Sequence, residues 1–343
     1  MGDFGQFSLA PRWFFHRRKS RPGYLLLFLD LSTAVLAIPF FPPPDRTAIL
    51  DPASAKPGSS RVLCHDMTYP KIPLAGVIGH PVAHSLSPRL HGHWLRRYGI
   101  TGHYVPLDIA KSDLARVLAV MPRMGFVGCN VTIPHKQAAL GLADHATDRA
   151  RRIGAANTLT FGPDGRIHAD NTDGHGFMAN LRDGAPDIVL PGATVAVLGA
   201  GGAARAVLVA LLGAGVGSIL LSNRTMARAE ALRDEFGARI ATVPWENAGE
   251  TIARALVVVN TTSLGMTGQD ALSVPLDMLH PGQVVSDLVY NPLETSLLQA
   301  ARRAGAVAVD GLGMLLHQAV PGFERWFGRR PEVDAETRMA LLS

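Results

Sequence analysis

Three short segments of the 343-residue chain concentrate side chains able to do chemistry. Asn130-Val131-Thr132-Ile133-Pro134-His135-Lys136 reads as a strand stopped by Pro134. Asn130 and Thr132 then share one strand face, and Lys136 follows at a strand-to-helix junction. The chain carries 33 Lys+Arg, yet from residue 67 onward its only lysines are Lys71, Lys111 and Lys136. An amine can lose its proton near neutrality and a guanidinium cannot, which marks Lys136 as a candidate acid–base group; read alone, it is equally an ordinary surface charge. Asn171-Thr172-Asp173-Gly174 adds an amide, a hydroxyl and a carboxylate, although Asp173 by itself is equally a turn or helix-capping residue. In Gly79-His80-Pro81-Val82-Ala83-His84-Ser85-Leu86-Ser87-Pro88, two hydroxyls stand at i and i+2 beside a predicted helix start. Ser87 reads as the N-cap and Pro88 as the first helical residue. Such paired hydroxyls suit a carboxylate or a polyol.

A fourth segment is suited to phosphate. Gly199-Ala200-Gly201-Gly202-Ala203-Ala204 follows the apolar run Val195–Leu198 and opens an Ala-rich helix, matching G-x-G-x-x-[GA] in its strand–turn–helix context. The first glycine permits the tight turn, the second lets a pyrophosphate approach the backbone, and Ala204 allows close helix–strand packing. Helix N-terminal N–H groups then favour the phosphates. The next strand ends at Asn223-Arg224-Thr225, with Arg228 one turn into the following helix. NAD-binding chains place a carboxylate here for the ribose 2′-OH. An amide and two guanidiniums instead favour a 2′-phosphate, through charge-assisted bonds of roughly 1.5–3 kcal/mol each. The cofactor expected is NADP(H).

The elements that must position these groups alternate. Strands are predicted at Leu74–Ile78, Tyr104–Leu107, Gly125–Ile133 and Asn157–Phe161, with helices from Ser87 to about Tyr98, Leu114–Met121 and Gln137 to about His145. A second block runs through strands Val195–Leu198, Ser218–Ser222, Ile240–Val243, Ala255–Asn260, Gln283–Asp287 and Val307–Asp310. Helices ending near Leu212, Phe236 and Ala304 intervene, a doubly wound pattern. A last apolar helix, Met314–Phe327, belongs to neither block on sequence grounds. The fold class is α/β with two α/β domains: an N-terminal substrate-binding domain and a Rossmann-type doubly wound NADP-binding domain.

Composition excludes other classes. With 47% hydrophobic and 18% charged residues, the chain is too apolar to be disordered. Two cysteines, Cys64 and Cys129, cannot frame a disulfide scaffold, so a reducing, cytoplasmic setting is expected. The net charge of +5 is modest, and residues 1–66 supply most of it with 8 Lys+Arg against 5 Asp+Glu. No basic cluster interleaved with aromatics suggests nucleic acid. The stretch 1–66 has basic residues Arg17, Arg18, Lys19 and Arg21 before an apolar run Tyr24–Phe41, but Asp30 and Pro39 interrupt that run. A spanning helix needs ~20 apolar residues, so a signal or membrane anchor is disfavoured. The stretch is expected to be an extension, with Met67 the working start. The 13 His form no persuasive ligand spacing, so no metal is expected. His84 and His91 read as packing or surface residues. The surface composition does not choose between a monomer and a homodimer.

Taken together, the motifs resemble the shikimate dehydrogenase family. They are G-x-P-x-x-H-S-x-S-P at Gly79–Pro88, N-V-T-I-P-H-K at Asn130–Lys136, G-A-A-N-T at Gly154–Thr158, N-T-D-G at Asn171–Gly174, G-A-G-G-A-A at Gly199–Ala204, N-R-T-x-x-R at Asn223–Arg228 and D-G-L-G-M-L-x-x-Q at Asp310–Gln318. The resemblance covers 67–343 and has no counterpart for 1–66. It implies a substrate-binding and catalytic domain over 67–172, completed by the C-terminal helix at 311–343, and an NADP-binding domain over 173–310.

The resemblance also implies residue roles. Lys136 and Asp173 would be the catalytic pair. Ser85, Ser87 and Tyr290 would bind the shikimate carboxylate, and Thr132, Asn157 and Gln318 the ring hydroxyls, with Asn130 also in the substrate set. Gly199, Ala200, Gly201, Gly202, Ala203, Asn223, Arg224, Thr225 and Arg228 would hold the cofactor. Gly311 and Met314 would flank its nicotinamide, and Thr261 would edge its cleft. The implied reaction is NADPH-dependent reduction of 3-dehydroshikimate to shikimate, with Lys136 handling the proton. An NAD-using quinate/shikimate dehydrogenase would show an acidic residue near Arg224, and none occurs before Glu230. A catalytically silent metabolite sensor would lack Lys136 or Asp173, and both are present.

Overall fold

Apolar runs bounded by glycine and proline turns produce two sheets, one after the other along the chain. The computed structural model describes residues 71–342 and two short paired strands, β1 (Tyr24–Leu25) and β2 (Ile38–Pro39). The expectations placed on residues 1–66, and on a start at Met67, otherwise lie outside the described residues.

The first sheet contains β3 (Leu74–Gly79), β4 (His103–Asp108), β5 (Phe126–Val131), β6 (His145–Ala146), β7 (Thr158–Phe161) and β8 (Ile167–Asp170). Its order is β4-β3-β5-β7-β8-β6; β3 runs parallel to β4 and β5, and β7 antiparallel to β5 and β8. Helices α1 (Ser87–Arg97), α2 (Leu114–Val120), α3 (Lys136–Gly141) and α4 (Asp148–Ile153) accompany it.

The second sheet contains β9 (Thr194–Leu198), β10 (Ser218–Asn223), β11 (Ile240–Pro244), β12 (Val257–Asn260), β13 (Val284–Asp287) and β14 (Val307–Val309). All its pairs are parallel, in the order β11-β10-β9-β12-β13-β14, the doubly wound arrangement. Its helices are α6 (Gly202–Gly213), α7 (Met226–Phe236), α8 (Ala248–Arg254) and α9 (Ser296–Arg303). Central strands covered on both faces read as unbroken apolar runs, and Val195, Val197, Val257 and Val259 are fully buried. Each such side chain contributes roughly 1.5–3 kcal/mol by burial.

Three further helices link the layers: α5 (Asp173–Gly184), α10 (Gly311–Phe327) and α11 (Ala335–Leu342). Phe177 and Leu181 of α5 join the core of the second sheet, while Leu312, Leu316, Ala319 and Phe323 of α10 pack with Leu90 and Trp94 of α1. The last apolar helix starts earlier than its hydrophobic pattern indicates, at Gly311, because the Asp310 carboxylate accepts from the Leu312 N–H at 3.0 Å and caps it.

The periodicity gave no sign of α4, α5, α8, α11, β6 or β8. Helix α5 shows why. Its sequence, DGHGFMANLRDG, is poor in helix formers. Tertiary packing supplies what propensity lacks: a Cβ at Gly176 would stand 2.7 Å from the Met314 carbonyl and 2.8 Å from the Gln318 nitrogen. The missing side chain is what lets α5 and α10 approach.

Candidate active site

Each sheet changes direction at one strand, and ligands bind outside the carboxyl ends of the strands at such points. In the second sheet the point is β9, between β10 and β12; in the first it is β3, between β4 and β5. The Gly199 turn follows β9. The Ser85–Ser87 loop follows β3, and Thr132 to Lys136 follow β5.

A cavity of about 490 Å³ opens there, lined by Ser85, Ser87, Asn130, Thr132, Lys136, Asn157, Asp173, Tyr290 and Gln318, and also by Ala203, Gly311 and Met314. At its centre the Lys136 ammonium donates to Asp173 Oδ2 at 2.5 Å. Asn157 Nδ2 donates to Asp173 Oδ1 at 2.7 Å and lies 3.3 Å from Gln318 Oε1. Asn157 Oδ1 accepts from the Thr172 N–H at 2.8 Å, and Thr172 Oγ1 donates to the Gln318 carbonyl at 2.8 Å. One buried amide thereby fixes the Asn171–Asp173 turn, and the same turn holds α10.

The local fold explains how these groups face inward. Lys136 is the first residue of α3, so the helix starts one residue earlier than the pattern suggests. Asp173 likewise opens α5, with Thr172 in the capping position. Ser87 is not the N-cap of α1. Leu86 occupies that position, Ser87 is already helical, and Ser85 Oγ accepts from the Ser87 N–H at 3.3 Å. The Ser87 hydroxyl, which does not cap the helix, lines the cavity beside the Tyr104 hydroxyl.

Asn130 lines the cavity, but its amide is engaged. Its Oδ1 accepts from the Tyr104 hydroxyl at 2.7 Å, and its Nδ2 donates to the Asn157 carbonyl at 3.1 Å. Tyr104 had no sequence signal beyond a place in an alternating strand. Burial pushes its phenol pKa well above the ordinary value, with the Cys129 thiol adding to the shift and a hydrogen bond with Ser87 opposing it, so it stays a donor. Tyr290, also raised by burial, is a protonated phenol at neutral pH.

The turn is braced from behind by Asp170. Burial alone would raise its pKa, but hydrogen bonds from Arg149, Thr147 and Arg325 outweigh that and hold the carboxyl well below the usual range. Arg325 belongs to α10, so this ion pair clamps that helix beside the Asn171–Asp173 turn.

The predicted cofactor residues outside the cavity gather at the carboxyl edge of β9, β10 and β12. Gly199 has φ +104°, and a Cβ there would meet Thr261 Oγ1 at 2.8 Å. Thr261 Oγ1 donates to the Leu198 carbonyl at 2.8 Å, and Asn223 Oδ1 accepts from the Ala200 N–H at 3.1 Å. Gly201 and Gly202 face open space, and the N-terminus of α6 has no side-chain cap. Its first N–H groups therefore await an external acceptor. Arg224, Thr225 and Arg228 are exposed, and neither guanidinium has a hydrogen-bond or ion-pair partner among the described residues. This arrangement fits a dinucleotide with a 2′-phosphate: open backbone donors for the pyrophosphate and unpaired cations for the extra charge.

A doubly wound dinucleotide domain whose glycine turn opens beside a cavity holding a lysine–carboxylate pair defines a two-domain nicotinamide-dependent dehydrogenase. Family models describe the shikimate dehydrogenase substrate binding domain at residues 77–159, shikimate / quinate 5-dehydrogenase at 185–266 and the shikimate 5'-dehydrogenase C-terminal domain at 311–335. The chain belongs to the shikimate dehydrogenase family. It is 64% identical over 273 residues to the shikimate dehydrogenase (NADP(+)) of Cereibacter sphaeroides strain ATCC 17023, covering 80% of this chain and 98% of that protein. Among solved structures it is similar to shikimate 5-dehydrogenase from Thermus thermophilus in complex with NADP(H) and shikimate. That match has 39% identity and a TM-score of 0.70 over 79% of this chain and 98% of that one. Quinate dehydrogenase from Corynebacterium glutamicum in complex with NAD is 32% identical, with a TM-score of 0.74 over 79% of this chain and 99% of that one. Among the described residues, no helix is long and apolar enough to cross a membrane.

Proposed function

We propose that this chain is an NADP(H)-dependent shikimate dehydrogenase that interconverts 3-dehydroshikimate and shikimate, and that Lys136 and Asp173 carry the proton chemistry. The observation behind this reading is the Lys136–Asp173 pair, 2.5 Å apart and set among amides and hydroxyls in a cavity that reaches Ala203 and Met314.

When bound, NADPH supplies the hydride for the carbonyl carbon. Gly199 to Ala203, with Thr261, would hold its pyrophosphate, and Arg224 and Arg228 its 2′-phosphate. Gly311 and Met314 would flank the nicotinamide. Lys136 gives a proton to the oxygen that becomes the alcohol, and takes it back in the oxidative direction. Asp173 fixes the ammonium through Oδ2, while Asn157 holds Oδ1 so that the carboxylate cannot rotate away. Ser85, Ser87 and Tyr290 present hydroxyl donors suited to the substrate carboxylate. Thr132, Asn157 and Gln318 face the ring hydroxyls. Asn130 acts mainly by holding the Asn157 backbone.

The reading places the enzyme in the cytoplasm, supported by a chain with only two cysteines and by its use of NADPH. A steady-state comparison of shikimate and quinate, each with NADP+ and NAD+, tests it. The highest kcat/KM is expected for shikimate with NADP+; a preference for quinate with NAD+ overturns it.

A further inference from the structure

A second cavity, about 280 Å³, lies between α4, α5 and α6. Its floor is apolar, formed by Ile153, Met178, Ala206 and Val209, and its rim holds two guanidiniums, Arg149 and Arg182, with the imidazole of His175. On α5 the span from Gly174 to Arg182 is about 12 Å, so the groove has room for a ring with a charged end.

The rim carries unneutralised positive charge. Arg182 and His175 have no hydrogen-bond or ion-pair partner among the described residues. Arg149 shares the single carboxylate of Asp170 with Arg325. Burial, and then the positive charges of Arg149, Arg330, His317 and Arg182, lower the pKa of His175. Among the described residues, no acidic side chain lines the groove.

The groove also touches the catalytic machinery from behind. Asn171 and Gly174 line it, and Asp173 lies between them in sequence. Asn171 Oδ1 accepts from the Asp173 N–H at 3.1 Å. The opposite wall is α6, whose N-terminus is the glycine turn. A Cβ at Gly174 would stand 2.9 Å from the Ala206 carbonyl, so α5 and α6 are in close contact at one end of the groove.

We propose that this groove is a binding site for a small aromatic carboxylate, separate from the catalytic cavity and coupled to it through α5. The apolar floor takes the ring, the Arg182 guanidinium takes the carboxylate, and His175, its pKa lowered, offers a neutral imidazole N–H beside it. A plain inorganic anion satisfies the rim and leaves the floor wet, so it binds more weakly.

Calorimetry on the full-length protein tests this with benzoate as the probe. Shikimate is titrated first, and its own heat reports the catalytic cavity independently. Benzoate is then titrated with shikimate saturating, which keeps it out of that cavity. The expected result is one further site per chain, weakened about tenfold or more by Arg182→Gln. Gly213→Glu is the second variant. A Cβ at Gly213 meets nothing within 4 Å, so a side chain starts there without a clash, and a carboxylate on this groove-lining residue is expected to weaken benzoate similarly. Inorganic phosphate is expected to bind at least tenfold more weakly than benzoate. Absence of a second site, an affinity unchanged in both variants, or phosphate binding as tightly as benzoate overturns the proposal.

Discussion

Among the residues, the proposed mechanism gives Lys136 a task that arginine cannot perform, the loss and regain of a proton near neutrality. The remainder of the chain uses guanidiniums almost throughout, and one of the few amines stands against a carboxylate in the cavity. Lys136→Ala is expected to lower kcat by two or more decades with little change in NADPH affinity, measured by steady-state kinetics beside a fluorescence titration of NADPH. Near wild-type turnover in that variant would remove Lys136 from the mechanism. The unpaired Arg224 and Arg228 make a different prediction. Replacing both with Ala should weaken NADPH far more than NADH, since only the former carries the 2′-phosphate; an equal loss for both cofactors contradicts that assignment. A third residue, His91, is fully buried, stacked on Tyr104 at 3.9 Å, and among the described residues neither ring nitrogen has a hydrogen-bond partner. Burial lowers its pKa to about 3, so between roughly pH 6.5 and 3 the unfolded chain binds a proton that the folded one refuses. Stability from this residue is complete above pH 6.5 and falls as the pH drops below it. Urea midpoints at pH 7 and pH 5 should therefore differ less in His91→Phe than in the wild type.

At the scale of elements, the site depends on how closely α5 and α10 approach. Asp173 begins α5 and Gln318 lies on α10, and Gly176 is the residue that leaves room between them. Gly176→Ala should cost about 1–3 kcal/mol of stability by overpacking and lower kcat, because the helix it displaces carries Asp173. Paired denaturant and kinetic measurements check both parts. Unchanged kinetics in a destabilised variant would mean the crossing supports the fold without positioning the carboxylate. The ion pairs of Arg149 and Arg325 with Asp170 act on the same crossing from the strand side.

For the whole molecule, the described residues 71–342 fall in one compact unit, and all three family matches lie within it. A chain beginning at Met67 is expected to keep the kcat/KM of the full-length protein within about twofold, a change worth ~0.4 kcal/mol. A loss of tenfold or more would show that residues 1–66 contribute to the working enzyme. Within the compact unit, the cavity draws side chains from α1, α3, α5 and α10 as well as from the loops after β3 and β5. The site is therefore a property of the assembled chain.

Most of the strands and the longer helices were legible in the amino-acid order alone, because buried parallel strands are apolar runs and the glycine turn after Val195–Leu198 has a local steric cause. The chemical types at the site were legible too, since Lys136, Asp173, Ser85 and Arg224 stand in short motifs whose spacing can be read without a fold. The rest waited for the packed molecule. Helix α5 exists because α6 and α10 pack on it, against the propensity of its glycines. Ser87 does not cap its helix because the backbone is already helical at Leu86, a matter of backbone dihedrals. Tyr104 reaches Asn130, and Gln318 reaches Asn157 from far along the chain, through distances no local pattern encodes. Local sterics and burial periodicity are written into neighbouring residues; close approach between distant segments is settled only when the whole core packs.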